Sequence, residues 1–281
     1  MTIAEAIRDA EKKIQHRSIE KNAILLIVEE TQGFSNRTEL YLHLQDPLQN
    51  VEQFQTYLME LISGKPVQYI LKKAWFCDHV FYVDSRVLVP RMETEELVEK
   101  VYELAKNIEQ PLIYDICTGS GCIALSLASR LEHAQIYAGD ISNDALEVAK
   151  INQQQLNLES VKFLESNLLC AFPHTRADII VSNPPYVDEK EILDASVKNY
   201  EPRIALVPPS GNGLEFYQRL FVSLPIYLKE GGYFCAEFGE TQREALSQLA
   251  DKLLPNSKIT FYQDMQKKDR FFVLQYFRSE V

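Results

Sequence analysis

Apolar positions along this chain repeat with two periods, and the change of period divides it. Up to about residue 70 the repeat is helical. Thr2 and Glu5 fit a capping box ahead of an apolar-periodic run. Ser18-Ile19-Glu20 opens a second run that reaches Val28 and stops near Gly33. A third runs from Val51 to Ile62 and ends at Gly64. "WFCDHVFYVDSRVLVP" (75–90) then alternates aromatic and β-branched residues, which predicts a hairpin or extended connector. "TEELVEKVYELAKNI" (94–108) is helical again.

From residue 111 strands and helices alternate. Strands are predicted at 112–117, 135–140, 161–166, 177–183, 232–238, 258–264 and 270–277. Helices are predicted at 121–131, 144–156, 213–229 and 241–254. Such alternation implies a largely parallel sheet covered on both faces. The last two strands lie close enough in sequence to pair antiparallel. No internal repeat or low-complexity segment interrupts the pattern.

Composition changes this picture little: 281 residues, 46% hydrophobic and 25% charged, as in ordinary globular proteins. No stretch approaches the ~18–20 apolar residues of a membrane span. "MTIAEAIRDAEKK" at the start has no apolar core of signal-peptide type, so no export is expected and the cytoplasm is the expected compartment. The five cysteines, 77, 117, 122, 170 and 235, are scattered and lack zinc spacing, so neither a disulfide framework nor a metal site is expected. His79, His133 and His174 read as surface residues. The formal net charge of −11 disfavours long nucleic acid as a partner, because such binding replaces counterions with Lys and Arg.

Two motifs carry chemistry. In "DICTGSGCIA", Gly119-x-Gly121-x-x-Ala124 follows a strand and opens a helix, as nucleotide-binding turns do. Asp140 ends the next strand, where an acid can accept hydrogen bonds from ribose hydroxyls. This pattern alone suits NAD and S-adenosylmethionine equally. The second motif, Asn183-Pro184-Pro185-Tyr186, ends the fourth strand at the same sheet edge. Neither proline offers an N–H, and both restrict the backbone before them. Asn183 Oδ1 and the Pro184 carbonyl then form two fixed acceptors suited to a planar –NH2 group, with Tyr186 lying against its plane. The corner therefore favours a methyl transfer to an amide or exocyclic amine over a hydride transfer.

With these motifs the chain resembles the class I S-adenosylmethionine-dependent amino-methyltransferases. Further segments narrow the resemblance: "GKPVQYI" (64–70), "VLVPRMETEELVE" (87–99), "YEPRIAL" (200–206), "GNGLEFYQRL" (211–220) and "KDRFF" (268–272). They are similar to the HemK/PrmC family, which methylates the glutamine of the GGQ motif in peptide chain release factors. The resemblance runs from about residue 64 to the C-terminus; before that only length and helical character match.

It implies a Rossmann-like class I methyltransferase sheet of seven strands, the last pair antiparallel, with a small all-helical N-terminal domain. The implied domains are 1–72 for substrate recognition, 73–90 as a β-hairpin connector and 91–281 for methyl transfer. Cys117, Thr118, Gly119, Ser120 and Gly121 would form the cofactor turn, Asp140 would hold the ribose, and Asn167 and Leu168 would flank the adenine. Asn183, Pro184, Pro185 and Tyr186 would bind the glutamine amide, with Asn183 also near the methyl donor. Arg91 and Thr94 belong to a PRxxTE segment and carry no assigned role. Met92 replaces the family's usual proline, and Asn167 an aspartate that is frequent there. The expected cofactor is S-adenosylmethionine, released as S-adenosylhomocysteine. The expected partner is a release factor, met by a monomer without direct contact to nucleic acid or membrane. An N6-adenine methyltransferase on DNA or RNA is the competing reading, and a non-catalytic cofactor-binding module a third.

Overall fold

The computed structural model describes residues 1–278 except 16 and 18. The chain divides into two compact units, Met1–Lys73 with Leu193–Tyr200, and Ala74–Ile192 with Glu201–Val281.

The first unit is helical: α1 (Ile3–Ile14), α2 (Lys21–Gln32), α3 (Arg37–Leu42), α4 (Val51–Ile62) and α5 (Val67–Leu71). The capping box forms as its residues dictate. The Thr2 side chain accepts from the Glu5 amide, and the Glu5 carboxylate accepts from the Thr2 amide. Ser18, expected to open the second helix, lies outside the described residues; the helix begins at Lys21. Gly33 ends it at φ 75°, a conformation glycine enters without a Cβ penalty. Ile3, Ala10, Ile24, Ile27 and Leu40 meet in one buried cluster that holds these helices together. The segment Leu193–Tyr200, from the long loop after the NPPY corner, joins this unit. The Tyr200 hydroxyl donates to the Ser63 carbonyl at 3.1 Å.

The second unit opens with the expected hairpin, β1 (Ala74–Phe76) and β2 (His79–Phe81). Its two-residue turn, Cys77-Asp78, has φ positive at both positions, the turn geometry whose twist suits a tight hairpin. Then follow α6 (Met92–Ala105), β3 (Leu112–Ile116), α7 (Cys122–Arg130), β4 (Gln135–Asp140), α8 (Asn143–Leu156), β5 (Val161–Glu165) and β6 (Ala177–Ser182). After α9 (Ala195–Tyr200), which belongs to the first unit, come α10 (Glu215–Tyr227), β7 (Leu228–Glu237), α11 (Arg243–Leu253), β8 (Lys258–Gln263) and β9 (Asp269–Gln275). The sheet has seven strands in the order β5-β4-β3-β6-β7-β9-β8, with β9 antiparallel to both of its neighbours.

Both parities of the central strands are apolar, so the sheet buries both faces. On one face Tyr114, Ile180, Phe234 and Phe272 pack with Tyr217, Phe221 and Leu246 of α10 and α11. On the other, Ile113, Ile179, Val181 and Cys235 pack with Leu97, Val101 and Ile123 of α6 and α7. Each such side chain withdrawn from water contributes about 1.5–3 kcal/mol before entropy is subtracted.

Register sets the site. Ile116 pairs with Gly139 of β4 and with Ser182 of β6. The next residues, Cys117, Asp140 and Asn183, therefore emerge at one level of the strands' C-terminal edge, where open α/β sheets bind ligands. Among the described residues no helix is long and apolar enough to cross a membrane.

Candidate active site

The turn after β3 is built around Asp140. Its Oδ2 accepts from the Gly119 amide and its Oδ1 from the Ser142 amide, each at 2.9 Å. The Thr118 amide donates to the Gly139 carbonyl at 3.0 Å, tying the turn to β4. Gly119 and Gly121 hold φ of 56° and 80°. Cys117 stands at φ 61° and Leu168 at φ 53°, left-handed positions uncommon for side chains with a Cβ. Both line the same cavity, and conformations of this kind cost about 1–3 kcal/mol and gather at ligand sites.

The cavity lies above this edge. The turn from Cys117 to Ser120 forms its floor, with Asp140, Ser166, Asn167 and Leu168 on one side and Asn183 and Pro185 on the other. Arg86, Val87, Leu88, Pro90 and Arg91, between the hairpin and α6, line the cavity together with Thr94. Ile204 and Phe216 line it as well. Gly121 contributes its turn from behind, where an added Cβ would meet Leu125, Ala149 and Phe163 at 3.1–3.3 Å. Pro184 and Tyr186 stand outside the lining. Pro184 is buried, and the half-buried Tyr186 packs against the core of the α10 face.

A nucleoside with a sulfonium side chain fits this donor set. Asp140 spends one lone pair of each oxygen on a backbone N–H, and each oxygen keeps another for a ribose hydroxyl. Burial raises the Asp140 carboxyl above its ordinary value, and the Ser142 and Gly119 amides pull it back. Beneath the turn, Asp115 is fully buried and pushed up to about 7 by desolvation. The Thr118 hydroxyl donates to its Oδ2 at 2.6 Å. Burial also lifts the thiols of Cys77, Cys122 and Cys235 to about 12, so they are inert packing groups at neutral pH. Among the described residues no cluster of His, Cys, Asp and Glu could hold a metal ion.

Motifs far apart in sequence meet here. Arg91 of the PRxxTE segment forms an ion pair at 2.6 Å with Glu201 of "YEPRIAL", whose carboxylate also accepts from the Val89 amide. Asn183 Nδ2 donates to the Thr94 hydroxyl at 3.2 Å, and that hydroxyl donates to the buried Glu237 carboxylate at the end of β7. The Tyr186 carbonyl accepts from Gln242 Nε2 at 2.9 Å, and Gly213 of "GNGL" lies against the same carbonyl. Among the described residues nothing donates a hydrogen bond to Asn183 Oδ1 or to the Pro184 carbonyl.

Several residues at the site had no role assigned from the sequence. Arg219 of α10 donates to Asn167 Oδ1 at 2.6 Å, so the oxygen expected to face adenine already has one partner. Arg219 lies in the segment "GNGLEFYQRL", four residues from Glu215, with which it pairs at 3.6 Å. Asn152 of α8 is fully buried and donates to the Ser120 and Tyr82 carbonyls, bracing the turn against the segment that leaves the hairpin. His79, read as a surface residue, is half-buried and shares a 3.0 Å hydrogen bond with Ser129, because β2 lays it over α7.

Fold and site together define a class I S-adenosylmethionine-dependent methyltransferase. Solved structures agree on the fold. The METTL16 methyltransferase domain superposes with a TM-score of 0.53 at 20% identity, covering 71% of this chain and 89% of that one. A ribosomal protein L11 methylase from Lactobacillus delbrueckii subsp. bulgaricus gives 0.50 at 18%, covering 67% and 81%. Residues 5–71 match the PrmC N-terminal domain, and residues 71–200 the Methyltransferase small domain. Release factor glutamine methyltransferases from Chlorobaculum tepidum and Enterococcus faecalis are 38% and 36% identical to this chain. The first alignment covers 93% of this chain and 91% of its relative, the second 96% and 98%. The chain belongs to the release factor glutamine methyltransferase family.

Proposed function

We propose that this protein methylates the side-chain amide nitrogen (N5) of the glutamine in the GGQ loop of peptide chain release factors, and so modulates translation termination. The observation that carries the reading is that Asp140 and Asn183 line one cavity, while two acceptors of the NPPY corner, Asn183 Oδ1 and the Pro184 carbonyl, have no donor among the described residues.

Bound S-adenosylmethionine supplies an electrophilic methyl group and departs as S-adenosylhomocysteine. Asp140 accepts the ribose hydroxyls, the turn from Cys117 to Gly121 admits the backbone-close part of the ligand, and Asn167 and Leu168 flank the adenine. Asn183 and Pro184 accept the two N–H bonds of the glutamine amide and hold its nitrogen toward the methyl group. An amide nitrogen is a poor nucleophile, so alignment has to do most of the work; such positioning supplies roughly 7–11 kcal/mol in favourable cases. The same acceptors stabilise the positive charge that grows on nitrogen, and the N–H proton in excess leaves to solvent after transfer, giving the neutral N-methylamide. Tyr186 is not a base: burial and the nearby Glu237 push its phenol further above its ordinary value. Pro185 and Tyr186 stiffen the corner. Residues 1–72 recognise the release factor, 73–90 connect, and 91–281 transfer the methyl group. The protein acts as a cytoplasmic monomer with no direct contact to nucleic acid or membrane.

The test is methyl transfer from labelled S-adenosylmethionine to a release factor, to the same factor with its GGQ glutamine replaced, and to DNA and RNA. Label in the intact factor alone is expected. Transfer to adenine in nucleic acid, or to the glutamine-free factor, would overturn the reading.

A further inference from the structure

We propose that Thr94 and Glu237 are positioning residues that fix which end of the Asn183 carboxamide faces the substrate. The proposal rests on the reading of Asn183 as an acceptor for the glutamine amide.

A carboxamide has two ends of nearly equal shape and opposite hydrogen-bonding character. If the Asn183 –NH2 faced the substrate –NH2, two donors would meet and the substrate would lose its hold. Nothing in the asparagine itself prevents that half-turn. The surroundings do. Glu237 ends β7 at 1% exposure, and the only side-chain hydrogen bond it makes among the described residues is to Thr94, itself 2% exposed in the first turn of α6. A threonine hydroxyl has one proton. The Glu237 carboxylate takes it, so the Thr94 oxygen can only accept from its other side. There it meets Asn183 Nδ2 at 3.2 Å. The direction runs one way, from Asn183 to Thr94 to Glu237, and Oδ1 is left for the cavity.

The burial of Glu237 otherwise lacks a purpose. Desolvating a carboxyl is costly, and Arg270 of β9, whose charge acts on Glu237, forms its ion pair with Asp264 at 3.0 Å instead. Glu237 holds its place without an ion pair among the described residues, and Thr94 is the group it acts on. This gives the PRxxTE threonine a task that needs no contact with either reactant.

The experiment compares Thr94→Val, which keeps shape but removes the hydroxyl, with Thr94→Ser, which restores it, and with Glu237→Gln and Asn183→Ala. Single-turnover methyl transfer to release factor is measured at saturating S-adenosylmethionine. Calorimetry with S-adenosylhomocysteine and the side-chain 1H–15N resonances of Asn183 are recorded on each full-length variant. Thr94→Val is expected to slow transfer about tenfold or more, with cofactor affinity within about twofold. Thr94→Ser should recover to within about threefold of wild type. Glu237→Gln, which still offers Thr94 an oxygen, should fall between the two and stands in if Thr94→Val does not fold. The Asn183 –NH2 protons should exchange slowly in wild type and Thr94→Ser and rapidly in Thr94→Val. Equal rates for Thr94→Val and Thr94→Ser, with Asn183→Ala impaired, would overturn the relay and leave the role of Asn183 standing. A wild-type rate for Asn183→Ala would remove both.

Discussion

Gly213 lies so close to Tyr186 that a Cβ on the glycine would stand 2.2 Å from the tyrosine's carbonyl oxygen. The contact presses "GNGL" against the NPPY corner, and the same Cβ would stand 2.6 Å from Gln242 Nε2, which donates to that carbonyl. Gly213→Ala must therefore push the Tyr186 backbone or unseat the start of α10. Either displaces Asn183 and Pro184, three and two residues away. We expect an apparent loss of stability of about 1–3 kcal/mol, the range for overpacking, and a larger proportional loss in turnover than in cofactor affinity. Urea unfolding, calorimetry and single-turnover rates on one preparation check all three.

Burial pushes Glu237 up to about 7. The groups facing it are Arg91 and Glu93 from the start of α6, Arg270 from β9, Tyr186 from the NPPY corner and Tyr217 from α10. An acid whose folded pKa is raised keeps its proton more firmly folded than unfolded between the two values. Its contribution to stability is full below its unfolded value and is lost as pH rises through its folded one. Asp115, also near 7, acts in the same direction. Stability to urea should therefore fall from about pH 5 to about pH 8, each group contributing at most about 1.4 kcal/mol per pH unit. Asp115→Asn and Glu237→Gln should each flatten the slope.

Turnover should respond to Glu237 with the opposite sign. Only the ionised carboxylate forces Thr94 to accept from Asn183, so the rate at saturating substrates should rise as pH passes about 7. Glu237→Gln should remove that rise while Asp115→Asn keeps it. A pH–rate profile of the three proteins decides.

Asp140 serves the turn as well as the ligand, because it already accepts from Gly119 and Ser142. Asp140→Asn replaces one oxygen with an –NH2 that cannot receive a backbone N–H. Affinity for S-adenosylhomocysteine should drop roughly tenfold to a hundredfold, the loss of one or two hydrogen bonds to a charged group. The melting temperature without ligand should also fall.

The Arg219–Asn167 contact offers a gain. Asn167→Asp turns a neutral acceptor into a charged one, so the hydrogen bond from Arg219 becomes an ion pair as well. If the pair steadies the adenine side of the cavity, Asn167→Asp should bind S-adenosylhomocysteine a few-fold more tightly. Arg219→Ala should cancel that difference in a double-mutant cycle read by calorimetry.

Local rules determined much of this protein from its sequence. Period and capping residues located α1, α2 and α4, and the alternation after residue 111 located all seven strands of the large sheet to within a few residues. Gly119, Asp140 and Asn183 were legible because each sits at a strand end, where the sheet's own geometry brings them to one edge. The tertiary structure alone decided the rest. That β9 lies between β7 and β8, that Leu193–Tyr200 joins the helical unit, and that Arg219 reaches Asn167 follow from packing between segments far apart in the chain. Thr94 and Glu237 are separated by 143 positions, and neither leaves a periodic trace at its own place. Periodicity records which face a residue turns to the core, because that depends on its neighbours in sequence. A single hydrogen bond between two buried side chains depends on where two elements come to rest against each other, and only the packed core fixes that.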